Sequence, residues 1–123
     1  MRRYHLAEFE EILLLTVAIL RSEAYGVSVK KEIEQHLARK VSVGALQIAL
    51  KQLEDKGYLK SYEGEVTSER SGKPRRYFFI TALGKRAMED TKNIQEKLWE
   101  VIPKVAFPKF AGPGSLGITL LKD

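Results

Sequence analysis

The sequence has no cysteine and only two histidines, His5 and His36, among its 123 residues. Without cysteine the chain can form neither disulfides nor thiolate metal sites, and it has no cysteine nucleophile. The two histidines fall in different predicted elements, and no carboxylate lies at metal-ligand spacing beside both. The sequence also lacks a phosphate-binding glycine loop, a nucleophile elbow and a catalytic pair of carboxylates. We therefore expect no enzyme activity, no bound metal and no cofactor.

Long apolar runs are missing as well. The longest one, residues 12–20, contains Thr16 and is far shorter than the roughly 20 residues that cross a bilayer. Arg2 and Arg3 are followed by acidic residues and by no small-residue cleavage site, which argues against a signal peptide. The lack of cysteine fits a reducing compartment. We expect a cytoplasmic protein that does not bind membranes.

The residues that are present suit a folded protein with one modest core, since 44% are hydrophobic and 30% are charged. The chain has 21 basic and 16 acidic residues, which gives a net charge of +5. Residues 66–86 contain six basic side chains and one acidic one, so this window accounts for the whole excess. A local basic excess is expected of a surface that binds phosphate. The alternative is a solvated hairpin whose charges only keep the protein soluble.

Hydrophobic periodicity predicts three helices before this basic window. The first spans about residues 6–21, and the second runs from residue 29 to about 39 with Ser28 as its cap. The third begins at the N-cap Ser42 and ends at Gly57, a residue suited to a helix C terminus. Its apolar face consists of Leu46, Ala49, Leu50 and Leu53. The second and third helices together form a predicted helix-turn-helix.

After the third helix, the spacing of the apolar residues changes from that of helices to that of strands. Residues 58–63 and 75–80 are short apolar and aromatic runs, and the segment between them contains Gly72 and Pro74. This pattern predicts a hairpin with a basic tip. The predicted fold is therefore mainly α with a small β-hairpin, an α+β class.

A long helix is predicted after the hairpin, capped by Thr81 and running to Ile102 before Pro103. Its apolar residues recur at spacings of four and three, a heptad-like seam that has nothing left to pack on inside one small domain. The first helix is apolar on two sides. Either one side packs on a partner, or the small fold covers both sides itself. We place the following residues in a dimer interface: Leu6, Phe9, Leu13, Ile94, Leu98, Val101 and Ile102.

In the order and spacing of these segments, the chain resembles the PadR family of bacterial winged-helix transcriptional regulators. The Leu-Glu-x-x-Gly helix ending and the glycine-containing wing occur in other winged helices, but their arrangement across residues 6–86 is specific. The segments that carry the resemblance are residues 6–15, 24–29, 42–46, 50–59 and 71–84. The resemblance implies a winged helix-turn-helix domain at 1–80 and a dimerisation helix at 81–102. Residues 103–123, rich in proline and glycine, form a tail that we expect to be disordered.

The function implied by the resemblance is that of a homodimeric regulator that binds double-stranded DNA at a palindromic operator, as a repressor. The candidate DNA-binding residues are Ser42, Gly44, Gln47, Ile48 and Lys51 in the third helix and Arg70, Lys73, Arg75 and Arg76 in the hairpin. The chain departs from the family at Gln47 and Ile48, where a tyrosine usually follows the Gly-Ala-hydrophobic step. Glutamine can read an adenine edge and isoleucine a thymine methyl group. The alternative is that both side chains only face solvent.

Trp99, the only tryptophan, lies on the predicted dimerisation helix. Some regulators that the chain resembles hold planar aromatic effectors in an aromatic pocket at this interface, so Trp99 is a candidate effector-binding residue. The alternative is plain interface packing, for which large aromatics are enriched.

Two other functions compete with duplex DNA binding. One is a winged-helix interaction module that binds an acidic protein through the same surface. The other is RNA binding, which is disfavoured because Tyr77, Phe78 and Phe79 are expected in a core strand without an exposed stacking platform.

Overall fold

The computed structural model of the protein describes residues 6–66 and 74–107. In these ranges the chain forms four α-helices and one two-stranded antiparallel sheet, which confirms the predicted α+β winged-helix class. The helices are α1 (Glu8–Leu20), α2 (Gly26–Leu37), α3 (Val43–Asp55) and α4 (Ala82–Val101), and the strands are β1 (Leu59–Val66) and β2 (Pro74–Ile80). Single 3-10 turns follow α1 at Arg21–Glu23 and α4 at Lys104–Ala106. Residues 108–123, most of the predicted tail, lie outside the described ranges.

The helix starts follow from local hydrogen bonds. Ser42 caps α3 as predicted, because its Oγ accepts a hydrogen bond from the Ala45 amide (3.1 Å). The prediction that Ser28 precedes α2 is wrong, since the helix already begins at Gly26. Ser28 is instead the third helical residue. Its Oγ accepts a hydrogen bond from the Tyr25 amide (2.9 Å), which is the bond that the third helical residue forms to the N-cap backbone in a capping box.

The core lies between the first three helices and the inner face of the sheet. The predicted apolar face of α3 is confirmed, since its four residues are all buried. α1 contributes three core side chains, α2 two, and the hairpin two. The buried apolar side chains of these elements are Leu13, Leu14, Val17, Val29, Ile33, Leu46, Ala49, Leu50, Leu53, Leu59 and Phe78. Burial of a leucine or isoleucine side chain stabilises the fold by about 1.5–3 kcal/mol.

A partly buried ion pair joins the start of α1 to the residue after α3. The Lys56 Nζ lies 2.7 Å from the Glu10 Oε1, and the Glu10 side chain is only 5% exposed. The same oxygen accepts a hydrogen bond from the Ala7 amide (3.0 Å). Removal of Lys56 would leave a buried carboxylate without its cation, which is far more costly than loss of an exposed pair.

The register of the hairpin determines which side chains face α3. Ser61 lies opposite Phe78 and Tyr62 opposite Tyr77. Phe78 is buried in the core, and its amide donates a hydrogen bond to the Ala24 carbonyl (2.9 Å), which attaches β2 to the segment before α2. Since successive side chains of a strand point to opposite faces, the residues on either side of Phe78 point away from the core.

Thr81 connects the hairpin, α3 and α4. Its Oγ1 donates a hydrogen bond to the Gly57 carbonyl (2.6 Å) and accepts one from the Gly84 amide (3.0 Å), so it caps α4 as predicted. Gly84 and Ala87 are buried, and the expectation that α4 has nothing to pack on within its own domain is therefore wrong for its first half. The chain divides into two compact units, residues 1–92 and 93–123.

Gly84 packs so closely on the preceding turn that no side chain fits. A Cβ atom at this position would lie 2.3 Å from the Tyr58 carbonyl oxygen, whereas one at Gly44 would meet nothing within 4 Å. Gly84→Ala should therefore lower the free energy of unfolding by about 1–3 kcal/mol. Gly44→Ala, the same change in an open helical position, should raise it by up to about 1 kcal/mol. Urea unfolding measures both, and equal effects of the two substitutions would contradict the close packing.

The turn between α2 and α3 is held by one carboxylate. The Glu34 Oε2 accepts hydrogen bonds from the Val41 amide (2.8 Å) and from the Lys30 Nζ (3.0 Å). The hydrogen bond from Val41 and then that from Lys30 lower the pKa of the Glu34 carboxyl, although partial desolvation opposes them. Glu34 therefore ties the turn before α3 to α2.

Because its folded-state pKa is depressed, Glu34 contributes stability that is fully present above the unfolded-state pKa and is lost as pH falls through the folded-state value. Glu34→Gln keeps an oxygen for the Val41 amide but cannot titrate. The variant should start less stable at neutral pH and lose less stability than the wild type on acidification to about pH 3. Urea unfolding across this pH range is the measurement. Parallel curves for the two proteins would show that Glu34 carries no pH-dependent stability.

Candidate nucleic-acid interface

α3 buries one face in the core and exposes the opposite face along its whole length. The structure brings all five candidate residues of this helix to the exposed face, and the Ile48 side chain is 62% exposed. These residues are Ser42, Gly44, Gln47, Ile48 and Lys51. We call this set the α3 face. An apolar side chain exposed beside an amide and a cation is suited to contact with base edges and phosphate.

The cation of the α3 face is only weakly engaged. The Lys51 Nζ lies 3.4 Å from the Asp55 Oδ1 one helical turn on, and both side chains are more than half exposed. Exposed pairs of this kind contribute at most about 1 kcal/mol. The ammonium group can therefore exchange its carboxylate for a phosphate at little cost.

Arg76 faces the groove between α3 and the hairpin. Its guanidinium donates a hydrogen bond to the Ser61 Oγ (2.7 Å) and lies 3.8 Å from the Glu63 carboxylate. The groove has a volume of about 460 Å³ and is shared with Gln47 and Lys51. Arg76 therefore adds a positive charge beside the α3 face, although a carboxylate offsets part of it.

Arg75 points to the other side of β2, where its guanidinium carbon lies 4.3 Å from the centroid of the Tyr25 ring. This cation–π contact holds the side chain at the start of α2, next to a cavity of about 200 Å³ that Gln47 also lines. The sequence alone did not indicate that Tyr25 contacts this arginine. The contact depends on the bridge between Tyr25 and Tyr77, which no local pattern predicts.

The two remaining hairpin candidates, Arg70 and Lys73, lie outside the described residues. Within the described part of the chain, no group of histidine and carboxylate side chains could hold a metal ion. No helix there is long and apolar enough to span a membrane.

The candidate dimer residues of α1 need a correction. Leu13 is fully buried in the core of its own chain, so its side chain has no surface left for a partner. Leu6 and Phe9 are partly buried against the same core. The exposed apolar residues of α1 are instead Leu15 (48% exposed) and Ile19 (59%). They line a groove of about 160 Å³ with residues of α2.

The second half of α4 exposes the apolar residues predicted for its seam. The Leu98 side chain is 61% exposed and that of Trp99 65%, and Ile94 and Val101 are more than half exposed. Ile102, which follows the last residue of the helix, is half-buried. Phe107 returns after the 3-10 turn to stack on Trp99, with ring centroids 5.9 Å apart and an angle of 25° between the planes. Sequence reasoning did not pair these two rings.

The aromatic residues of β2 do not all lie in the core as predicted. Phe78 is buried, but Phe79 is 45% exposed on the opposite face of the sheet, and Tyr77 is half-buried there. Tyr62 of β1 is 48% exposed and stacks on Tyr77. The expectation that the hairpin has no exposed aromatic platform is therefore wrong.

Comparison with solved structures finds the same fold in several transcriptional regulators. A PadR family transcription regulator from a hypervirulent Clostridium difficile is 30% identical, with a TM-score of 0.58 over 76% of this chain and 93% of that one. A transcriptional regulator from Clostridium thermocellum is 28% identical, with a TM-score of 0.61 and coverages of 75% and 86%. A PadR family regulator from Eggerthella lenta is 25% identical, with a TM-score of 0.60 and coverages of 76% and 80%.

Comparison with curated proteins gives no match. Residues 14–90 match the transcriptional regulator PadR-like family. This match covers α2, α3, both strands and most of α1, which are the elements that build the α3 face and the hairpin. The chain belongs to the PadR-like family of transcriptional regulators.

Proposed function

We propose that this DNA-binding transcription regulator acts as a homodimer that recognises a palindromic operator through the α3 face and the hairpin. Members of the family are transcription regulators and not enzymes, which confirms the expectation of a chain without catalytic activity. The observation that carries the proposal is the α3 face, where an amide, an exposed isoleucine and a weakly paired lysine lie together. The B-DNA major groove admits a helix of this kind.

Gln47 and Ile48 are the base-reading residues in this proposal. Gln47 can pair with the N6 and N7 edge of adenine, and Ile48 can contact a thymine methyl group. Lys51, one turn along the same face, binds a backbone phosphate and sets the register of the helix on the duplex. The Ser42 hydroxyl caps the helix, and Gly44 carries no side chain, so the start of α3 can approach the sugar-phosphate backbone closely.

The hairpin supplies the cations that meet the adjacent backbone. Arg70, Lys73, Arg75 and Arg76 are assigned to phosphate or minor-groove contacts, and they belong to the window whose net charge equals that of the whole chain. Arg76 has the weakest claim, because Ser61 and Glu63 already engage its guanidinium. Arg75 is held on Tyr25 beside the start of α2, where it can reach a phosphate near the helix N terminus.

Exposed apolar surface supports the dimer. Residues Ile94, Leu98 and Val101 of α4 present side chains to solvent, and Leu15 and Ile19 of α1 do the same. Exposed apolar residues spaced along one side of a helix are typical of protein interfaces. We propose that the second half of α4 packs in the groove between α1 and α2 of the partner. A twofold dimer presents two α3 faces, which a palindromic operator matches.

We further propose that a planar aromatic effector releases the operator by binding at Trp99. The exposed indole and its stacked neighbour Phe107 support this assignment. An effector acts only through a higher affinity for one arrangement of the two DNA-reading heads than for the other. Saturable quenching of Trp99 by phenolic compounds, together with operator release, tests it. If no compound quenches Trp99 and Trp99→Ala dissociates to monomer, the residue serves interface packing.

Gln47→Ala tests base reading. Loss of a good base contact costs roughly 1–3 kcal/mol, so the variant should lose its preference at one position of each half-site while binding random DNA as before. Lys51→Ala is the matched control on the same face. It should weaken all sequences alike and reduce the salt slope by about 1. Selection from random duplexes, followed by salt titration, gives both quantities; a uniform loss with Gln47→Ala would assign that residue to the backbone.

Leu98→Glu tests assembly. The substitution places a carboxylate in the proposed interface without a partner and should convert the dimer to a monomer that keeps its fold. Asn93→Glu is the control, because it adds the same charge on the other side of α4. Equilibrium sedimentation at concentrations on the order of tens of micromolar separates the species. A wild-type protein that is already monomeric there would refute the dimer.

A further inference from the structure

Three aromatic rings cover the face of the hairpin that points away from α3. Tyr62 and Tyr77 lie directly opposite each other on the two strands, with ring centroids 5.6 Å apart and nearly parallel planes at 18°. Phe79 completes the set, 6.2 Å from the Tyr62 ring. Tyr62 and Phe79 are each almost half exposed. We call these three residues the outer aromatic face.

The Tyr77 ring is restricted by two neighbours, Gly64 and Tyr25. A Cβ atom at Gly64 would lie 2.5 Å from the Tyr77 ring, so that ring covers the glycine backbone. Tyr25 contacts Tyr77 edge to face, with centroids 5.5 Å apart at 65°. Because these contacts restrict the Tyr77 ring, it forms a firm support for the Tyr62 ring that stacks on it.

Positive charge lies beside the outer aromatic face. Lys60 is paired with Phe79 across the strands, is exposed, and forms no ion pair within the described residues. Arg75 lies on the same face of β2 against Tyr25. The neighbouring acid Glu63 approaches Arg76, which belongs to the groove beside α3. An exposed aromatic surface therefore has one cation on each strand beside it, Lys60 on β1 and Arg75 on β2.

We propose that the outer aromatic face binds single-stranded nucleic acid, with bases stacked on Tyr62 and Phe79 and a backbone phosphate at Lys60. Single-strand binding proteins combine these two features, and stacking tolerates any base because every base has a π-face. The positive charge favours a polyanion over an apolar protein partner. This activity goes beyond the proposed duplex binding. The residues that contact the strand, Lys60, Tyr62 and Phe79, are not among those assigned to the duplex, whereas Arg75 lies beside both surfaces.

The test compares a fluorescently labelled thymidine strand of about 15 nucleotides with a duplex of equal length. By anisotropy, Tyr62→Ala with Phe79→Ala should weaken single-strand binding at least about tenfold and leave duplex binding unchanged. Tyr62→Phe with Phe79→Tyr keeps the rings and should bind the strand like the wild type. Lys60→Ala should reduce the single-strand salt slope by about 0.7. Gln47→Ala should leave single-strand binding unchanged, which separates this proposal from the duplex proposal.

Several outcomes would overturn the inference. One is a wild-type protein that does not bind the strand, and another is an alanine double variant that binds it equally well. Displacement of the strand by an equimolar duplex would place both ligands on the α3 face. If the double variant changes only the sedimentation of the protein, the rings join copies of the chain and bind no nucleic acid. Thermal melting followed by circular dichroism checks that each variant is folded.

Discussion

Burial of one face of α3 is the constraint on which the rest of the structure depends. Leu46 and Leu50 are each 1% exposed and Leu53 is fully buried. Turning the helix by one residue position, about 100°, would move these side chains into solvent at a cost of roughly 1.5–3 kcal/mol each. The helix therefore has one rotational setting, and that setting directs Gln47 and Ile48 outward. The surface that we assign to base reading is the consequence of the core.

Backbone contacts at the two ends of α3 fix its position along its own axis. At its start, the Glu34 carboxylate holds the Val41 amide. At its end, Thr81 holds the Gly57 carbonyl and Gly84 packs on the turn that follows. These groups touch no ligand in the proposed function, yet we expect substitution at any of them to displace the α3 face. A loss of DNA binding on mutation is therefore not enough to assign a residue to the interface, and stability must be measured beside affinity.

The sequence predicted side-chain burial correctly where a helix has a single apolar face, and wrongly where a helix has two apolar faces of which only one can enter the core. The cap and apolar face of α3 were predicted because serine and four spaced apolar residues agree. In α1, periodicity identified two apolar sides but could not say which one the core takes, so Leu13 was assigned to the wrong surface. Ser28 was assigned to the N-cap because a serine hydroxyl can hydrogen-bond to the backbone at a helix start from either the N-cap or the third helical position. The contact of Arg75 with Tyr25 required the sheet register.

The alternation of side chains along β2 separates the α3 face from the outer aromatic face. Arg76 and Phe78 face α3, whereas Tyr77 and Phe79 point away from it. A slip of one residue in strand pairing would exchange the two sets and bring Tyr77 into the core in place of Phe78. The hydrogen bond from the Phe78 amide to Ala24 and the close fit of Tyr77 over Gly64 both oppose such a slip. The register that buries Phe78 thus also exposes the aromatic rings, so substitutions of Tyr62 and Phe79 can test the outer face without disturbing α3.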